Sequence, residues 1–263
     1  MTVEVETVDD PRLEPFRHVA DHRWLREHDL FVAEGRFVVE RLIGAQSCRI
    51  HSALVSPAAH AALGESLRLA GCPVYLAQQH LFSAIAGFNF HRGCLALGVR
   101  PHAPGLPSLH GARLLLGLEG IGNPDNVGGL FRTAAAFGAD AVLLDEATGD
   151  PLYRKSLRTS MGTVLQMPFV RVPGWPDAIA ELRANGVMVI ALTPDASATA
   201  LDEFATAVEP NSRALLLVGT EGAGLSAHVK DMATARVRIP LARGVDSLNV
   251  VVAAGIALSR IAG

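Results

Sequence analysis

An α/β fold built on a parallel sheet is the class this sequence predicts, and three observations predict it. Short leucine-rich or β-branched runs alternate with helix-like segments through residues 112–263, the pattern of parallel strands covered by helices. Glycines follow two of the helical stretches, Gly138 after 127–137 and Gly186 after 175–185, where a left-handed residue ends a helix. Several runs feed polar, glycine-rich loops. Ligands bind at such loops, outside the carboxyl ends of strands in open α/β sheets.

In chain order, residues 14–28 read as a first helix with a weak apolar stripe of Phe16, Val19, Trp24 and Leu25. Residues 30–33 read as a strand and 35–42 as a helix with Phe37, Val38 and Leu42 inward. A strand over 50–55 follows, then an alanine-rich helix to about residue 70 that Pro57 is suited to begin. Strand 73–76, helix 78–85 and strand 94–99 complete a smaller N-terminal α/β domain, residues 1–100. No cluster in it suggests catalysis. Residues 101–111 are rich in proline and glycine, which resist helix and sheet alike and mark a linker. In the domain 112–263, strands are expected at 113–118, 141–144, 169–172, 187–192, 214–218 and 235–239.

Composition narrows the function classes. With 49% hydrophobic and 19% charged residues among 263, the chain buries a sizeable core. Its longest uncharged apolar run, residues 248–259, falls short of the roughly 20 residues of a membrane span. The acidic start MTVEVETVDD lacks the features of a signal peptide. Cys48, Cys72 and Cys94 are odd in number and lack CxxC spacing, against both a disulfide framework and a structural zinc site. A cytoplasmic protein without metal or membrane is expected. The net charge of −3 gives no global case for nucleic acid, and the arginines of residues 12–49 are nearly cancelled by interleaved acids.

Three polar stretches carry the chemistry. In 123–132, a Gly128-Gly129 pair near a helix start costs about 1 kcal/mol per glycine against alanine. Tight packing against a neighbouring strand or a ligand on bare backbone N–H groups would justify it. Arg132 lies one turn on, and its plain alternative role is an ion pair with Asp140 or Glu221. In 219–226, Gly222 and Gly224 with Ala227 also fit a dinucleotide fingerprint, with Asp246 some twenty residues later. Too few strands follow to build a dinucleotide-binding half. Glu221 in that turn reads as a solvated carboxylate. In the third stretch, Asp246 or Ser247 suits the N-cap of a final helix that is apolar nearly all round, which predicts burial in a core or across a subunit interface.

Taken together, the stretches resemble the SpoU (TrmH) family of SPOUT-superfamily RNA 2′-O-methyltransferases. The matching elements are Asn126-Val-Gly128-Gly-Leu-Phe-Arg132-Thr-Ala134, Gly219-Thr-Glu221-Gly-Ala-Gly224-Leu-Ser226 and Ile239-Pro240 with Ser247-Leu248-Asn249. Arg158-Thr-Ser-Met-Gly162 with Pro168 is similar to the family's intervening segment. The N-terminal domain resembles the family's substrate-binding domain, akin to a kink-turn-binding ribosomal protein, at Phe31-Val-Ala-Glu34-Gly35 and His91-Arg-Gly93, although many relatives carry glutamine where Arg92 stands. The resemblance implies a SPOUT domain with a deep trefoil knot, a homodimer with sites at the interface, and methyl transfer from S-adenosyl-L-methionine to a ribose 2′-hydroxyl of structured RNA, rRNA or tRNA. It implies Arg132, Asn126, Glu221, Ser247 and Asn249 as catalytic residues, with Arg132 meeting the RNA. Backbone around Leu217, Gly219, Ile239, Leu241 and Leu248 is implied to hold the cofactor, with Thr193 nearby and Glu221 also at the cofactor.

Overall fold

The computed structural model describes residues 2–102, 104–209 and 212–262. The chain divides into two compact units, residues 1–102 with 151–166 and residues 103–150 with 167–263. The segment 151–166, which falls inside the stretch 112–263, clusters with the N-terminal unit.

The first unit holds a five-stranded mixed sheet of β1 (Thr2–Val5), β2 (Leu30–Glu34), β3 (Arg49–Val55), β4 (Val74–Ala77) and β5 (Cys94–Val99), in the order β1-β4-β3-β5-β2. β1, β4 and β3 run parallel, and β5 is antiparallel to β2 and β3. The helices are α1 (Glu14–Arg17), α2 (His22–Glu27), α3 (Arg36–Gly44), α4 (Pro57–Leu69) and α5 (Phe82–Ala86). Phe16, Phe82, Phe90, Leu54, Leu95 and Leu97 fill the core.

Four local expectations change. β1 escapes prediction because only Val5 is buried; the strand is an edge held by backbone pairing to β4. The single helix over 14–28 breaks in two, since the extended Asp21 accepts from the Arg23 and Trp24 N–H groups and starts α2 afresh. The helix over 78–85 opens with a 3-10 turn, Gln79–Leu81, before α5. Phe37 does not turn inward: α3 buries Val38, Val39 and Leu42 and leaves Phe37 60% exposed.

The second unit is a seven-stranded sheet of β6 (Leu114–Glu119), β7 (Ala141–Leu144), β8 (Phe169–Arg171), β9 (Met188–Leu192), β10 (Thr199–Ala200), β11 (Ala214–Gly219) and β12 (Ala235–Arg238). Their order is β10-β12-β9-β11-β6-β7-β8, with every pairing parallel. Its helices are α6 (Pro124–Ala136), α8 (Trp175–Ala184), α9 (Leu201–Ala207), α10 (Ala227–Met232) and α11 (Val250–Ile261), whereas α7 (Arg154–Thr159) belongs to the first unit. Inside the expected linker, Leu106–Leu109 forms a 3-10 turn; residue 103 lies outside the described residues.

Central strands β6 and β11 are buried on both faces, which is why they read as unbroken apolar runs. Each such leucine contributes about 1.5–3 kcal/mol on burial. Gly117 in β6 makes room for its neighbour, since a Cβ there would meet Leu217 Cδ2 at 2.4 Å. The final helix is not covered all round. α11 buries Val250, Ala254, Ala257 and Leu258, while Val252 is 51% and Ile256 37% exposed.

The three cysteines are free, and burial pushes the thiols of Cys48 and Cys72 up and that of Cys94 up to about 12. A disulfide-exchange reagent is expected to titrate at most Cys48 in the native protein and all three in denaturant. Rapid native reaction at Cys94 would contradict the packing.

Candidate active site

The sheet of the second unit ends in a cavity of about 420 Å³, within the roughly 300–1,000 Å³ of small-molecule sites. Its walls are the last residues of β9 and β11 and the segments after them (Leu192, Thr193, Pro194; Gly219, Thr220, Glu221), with Ile239 and Leu241 after β12, closed by Ser247, Leu248, Asn249 and the start of α11. All three strands deliver these residues from their carboxyl ends, as parallel sheets do.

The glycine turn after β11 has one permitted shape. A Cβ on Gly219 would meet the carbonyl carbon of Gly224 at 2.2 Å, so backbone, not a movable side chain, excludes any larger residue. Gly222 and Gly224 take φ of 92° and 68°, in the region that favours glycine. Glu119, at the end of β6, fastens the turn by accepting from Ser226 N at 2.9 Å and Ser226 Oγ at 2.8 Å. Ser226 Oγ in turn accepts from Val229 N and caps α10. Sequence reasoning missed Glu119, since only the pairing of β6 with β11 brings it beside a turn 107 residues away.

Asn126, Glu221 and Asn249, one from each of the three motifs, meet. Asn126 Nδ2 donates to Glu221 Oε1 at 2.6 Å. Asn249 Nδ2 donates to Asn126 Oδ1 at 3.2 Å and to Glu221 Oε1 at 3.4 Å. Hydrogen bonds to a carboxylate are roughly twice as strong as neutral ones. Glu221 is exposed, as expected of a loop carboxylate, yet fastened by two side-chain amides. Asn249 Oδ1 also accepts from Val251 N at 2.9 Å, so Asn249, not Asp246 or Ser247, is the N-cap of α11.

The first motif lies within α6 itself, which starts at Pro124 because the Asn123 side chain accepts from Asp125 N. Its Gly129 is explained by a helix, not a strand: a Cβ there would meet Val251 Cγ2 of α11 at 2.8 Å. Buried Asp145 accepts from Gly120 N and Thr148 N and thereby shapes the approach to α6.

Of the residues implied around a cofactor, Thr193, Gly219, Glu221, Ile239, Leu241 and Leu248 line the cavity, and so does Ser247. Leu217 does not. Its side chain is fully buried against Gly117, and Val218 lines the cavity in its place, because successive residues of a strand face opposite sides. Buried Thr193 Oγ1 accepts from Asp195 N, and the Asp195 carboxyl is held below its usual range by hydrogen bonds to Thr193 and Lys230.

Arg132 stands apart. It is exposed on α6, does not line the cavity, and among the described residues has no hydrogen-bond or ion-pair partner. Neither carboxylate proposed as its partner holds it: Glu221 binds the two asparagines, and Asp140 accepts from Arg113 N and Leu114 N. Among the described residues, no group of three or more His, Cys, Asp or Glu side chains is placed to hold a metal, and no helix is long and apolar enough to cross a membrane.

Asn126→Ala, by removing a buried partner, is expected to cost about 1–3 kcal/mol at any pH. Asn126→Asp sets a second carboxylate against Glu221 and raises one of the two pKa values in the folded protein. Between the unfolded value near 4 and the raised folded value the folded state holds a proton that the unfolded state has lost, so the added cost is full only above the raised value and shrinks as pH falls toward about 4. Urea denaturation at pH 7 and pH 5 reads the difference; a pH-independent loss in both variants would mean the contact does not form.

A model of the SpoU rRNA Methylase family matches residues 113–259. A Mycobacterium tuberculosis protein named as an uncharacterised tRNA/rRNA methyltransferase is 37% identical over 254 residues, 95% of this chain and 88% of its own. The 23S rRNA (guanosine(2553)-2′-O)-methyltransferase RlmP of Bacillus subtilis is 33% identical over 195 residues, 73% of this chain and 74% of its own. An AdoMet-bound rRNA methyltransferase structure from Sinorhizobium meliloti matches with a TM-score of 0.84 at 26% identity, over 99% of this chain and 97% of that one. With one residue from each of three motifs hydrogen-bonded together and a family model spanning more than half of its length, the chain belongs to the SpoU rRNA Methylase family.

Proposed function

We propose that the protein is an S-adenosyl-L-methionine-dependent RNA 2′-O-methyltransferase, acting on rRNA or tRNA as a cytoplasmic homodimer whose second domain (112–263) carries a deep trefoil knot and whose N-terminal domain (1–100) binds the RNA. The observation that carries this reading is the junction of Asn126, Glu221 and Asn249 at the edge of a cavity formed by three strand ends. The names of the M. tuberculosis and B. subtilis relatives support RNA methylation, the second a ribose oxygen as acceptor.

The cavity suits the donor. Leu192, Val218, Ile239, Leu241 and Leu248 offer apolar surface to a purine, and Thr193, Glu221 and Asn249 offer polar groups at its edge. When bound, S-adenosyl-L-methionine supplies an electrophilic methyl group on a sulfonium sulfur. The remaining tasks fall to the chain: holding the ribose in line, which is worth about 7–11 kcal/mol of barrier, and easing the loss of the 2′-hydroxyl proton. A guanidinium gives up its proton too reluctantly to serve as a base. Arg132 instead binds the target phosphate and stabilises the developing alkoxide, as donors of an oxyanion hole do. Asn126, Glu221, Ser247 and Asn249 orient the turn and the ribose.

Among the described residues Arg132 has no hydrogen-bond or ion-pair partner, and α11 leaves Val252 and Ile256 exposed. Both features suit a homodimer in which Arg132 of one copy serves the cavity of the other. Ile256→Asp is expected to give monomers by sedimentation and to abolish activity.

The test is transfer of labelled methyl from S-adenosyl-L-methionine to RNA, followed by nuclease digestion and mass spectrometry. Label on a base rather than a ribose would overturn the reaction assigned. Arg132→Lys is expected to retain measurable turnover; complete loss with RNA binding intact would argue for a proton-accepting role. Mixing Arg132→Ala with Glu221→Ala copies is expected to restore about a quarter of wild-type activity, one intact site in half of the dimers. No restoration after subunit exchange would place Arg132 and the cavity of one site in the same copy.

A further inference from the structure

The first unit contains a cavity of its own, of about 500 Å³. Apolar patterning assigns Phe37 to the inner face of α3, yet its ring is 60% exposed and lines this opening. Met161, from the segment between β7 and β8, lines it too, 40% exposed and held at φ 52°. Left-handed backbone in a non-glycine residue is uncommon and strained, and such strain gathers at binding sites. Two exposed apolar side chains at one cavity form a surface without an evident structural role.

Arg36, Arg92 and Arg158 line the same cavity. The Arg36 guanidinium lies 5.7 Å from the centroid of the Phe37 ring. Glu34, only 6% exposed, is shared between Arg92 at 3.6 Å and Arg154 at 3.3 Å, and Glu40 answers Arg36 at 3.8 Å. Arg158 has no hydrogen-bond or ion-pair partner among the described residues. The cavity's own lining thus sets one carboxylate, Glu34, against three guanidiniums, and it is locally positive in a chain of net charge −3.

Two glycines shape the wall. Gly35, at φ +85°, lets Arg92 cross the start of α3, since a Cβ would meet Arg92 Cδ at 3.2 Å. Gly93, at φ +58°, lets Gln79 Oε1 and Ser56 Oγ close in, each 2.6 Å from where a Cβ would stand. Gln79 and Ser56 also line the cavity and give it hydrogen-bonding groups beside the cations.

We propose that this cavity receives one unstacked nucleotide of the substrate RNA, distinct from the nucleotide that is methylated. Its phosphate binds Arg158 and Arg36, its base lies against Phe37 and Met161, and the base edge turns toward Gln79 and Ser56. An unpaired RNA nucleotide presents a flat π face and a phosphate together, and proteins take such bases on aromatic rings beside guanidinium groups. An acidic peptide would satisfy the arginines and leave Phe37 unused. The inference rests on the RNA methyltransferase reading, and it gives the segment 151–166 a role in substrate binding through Arg158 and Met161.

The test uses the full-length protein and a mixed-sequence RNA hairpin with a single bulged 2-aminopurine, against the same hairpin fully paired. The bulged hairpin is expected to bind more tightly, with 2-aminopurine fluorescence quenched. Phe37→Ala is expected to lose about five- to hundredfold in affinity for the bulged hairpin, the range for one stacked base, and nothing for the paired one. Arg158→Ala is expected to weaken both and to flatten the salt dependence by about one counterion. Both residues are exposed, and matching thermal unfolding would exclude misfolding. Equal wild-type affinity for the two hairpins, a Phe37→Ala protein indistinguishable from wild type, or competition by inorganic phosphate as strong as by uridine monophosphate would each overturn the proposal. Calorimetry with S-adenosyl-L-methionine separates the two readings: no donor binding, with bulge discrimination intact, would sink the enzyme assignment and leave this site standing.

Discussion

The second unit depends on one shared carboxylate. Glu221 Oε1 accepts from Asn126 and Asn249, which lie 95 and 28 residues away along the chain. Without it, a buried asparagine amide loses its acceptor and the loop leading into α11 loses its tie to the turn after β11. Asn249 serves two ends at once, since its oxygen caps α11 while its nitrogen reaches Asn126 and Glu221. A change at this point moves the helix start and the cavity wall together.

The clamp is accurate because its supports are rigid. β11 lies between β9 and β6 in a fully parallel neighbourhood, and its residues from Ala214 to Val218 are buried. Gly219 holds the turn against the backbone of Gly224, and Glu119 ties the far end of that turn to β6. On the opposite flank, Gly129 lets α11 press onto α6, so the helix bearing Asn126 and the helix capped by Asn249 pack directly. The roughly 1 kcal/mol that such a glycine costs a helix is offset by that approach. Sites on strands and packed helices hold their geometry better than sites on loops.

The division of labour follows from exposure. The cavity is apolar at Leu192, Val218 and Ile239 and belongs to one chain, whereas Arg132 projects from α6 into solvent. Among the described residues this long cation has no partner, which leaves it available to a polyanion. In the proposed homodimer, donor binding and RNA activation are tasks of different copies. Within the first unit, Arg92 and Arg154 are tethered to Glu34.

Sequence by itself determined the strand and helix alternation, the three motifs and most of the cavity wall. Parallel strands buried on both faces must be apolar, and sharp turns must be glycine, so β6, β11 and the 219–226 turn are legible in one dimension. What escaped it was whatever rests on neighbours distant in the chain. The edge strand β1 owes its existence to β4; Glu119 acquires a role through Ser226; Leu217 faces the core and not the cavity because Gly117 leaves it room. Residues 151–166 join the first unit, and Phe37 faces outward, for the same reason. Periodicity and turn chemistry are local and can be read from the chain, but which side chain meets which is settled only when the strands have chosen their order.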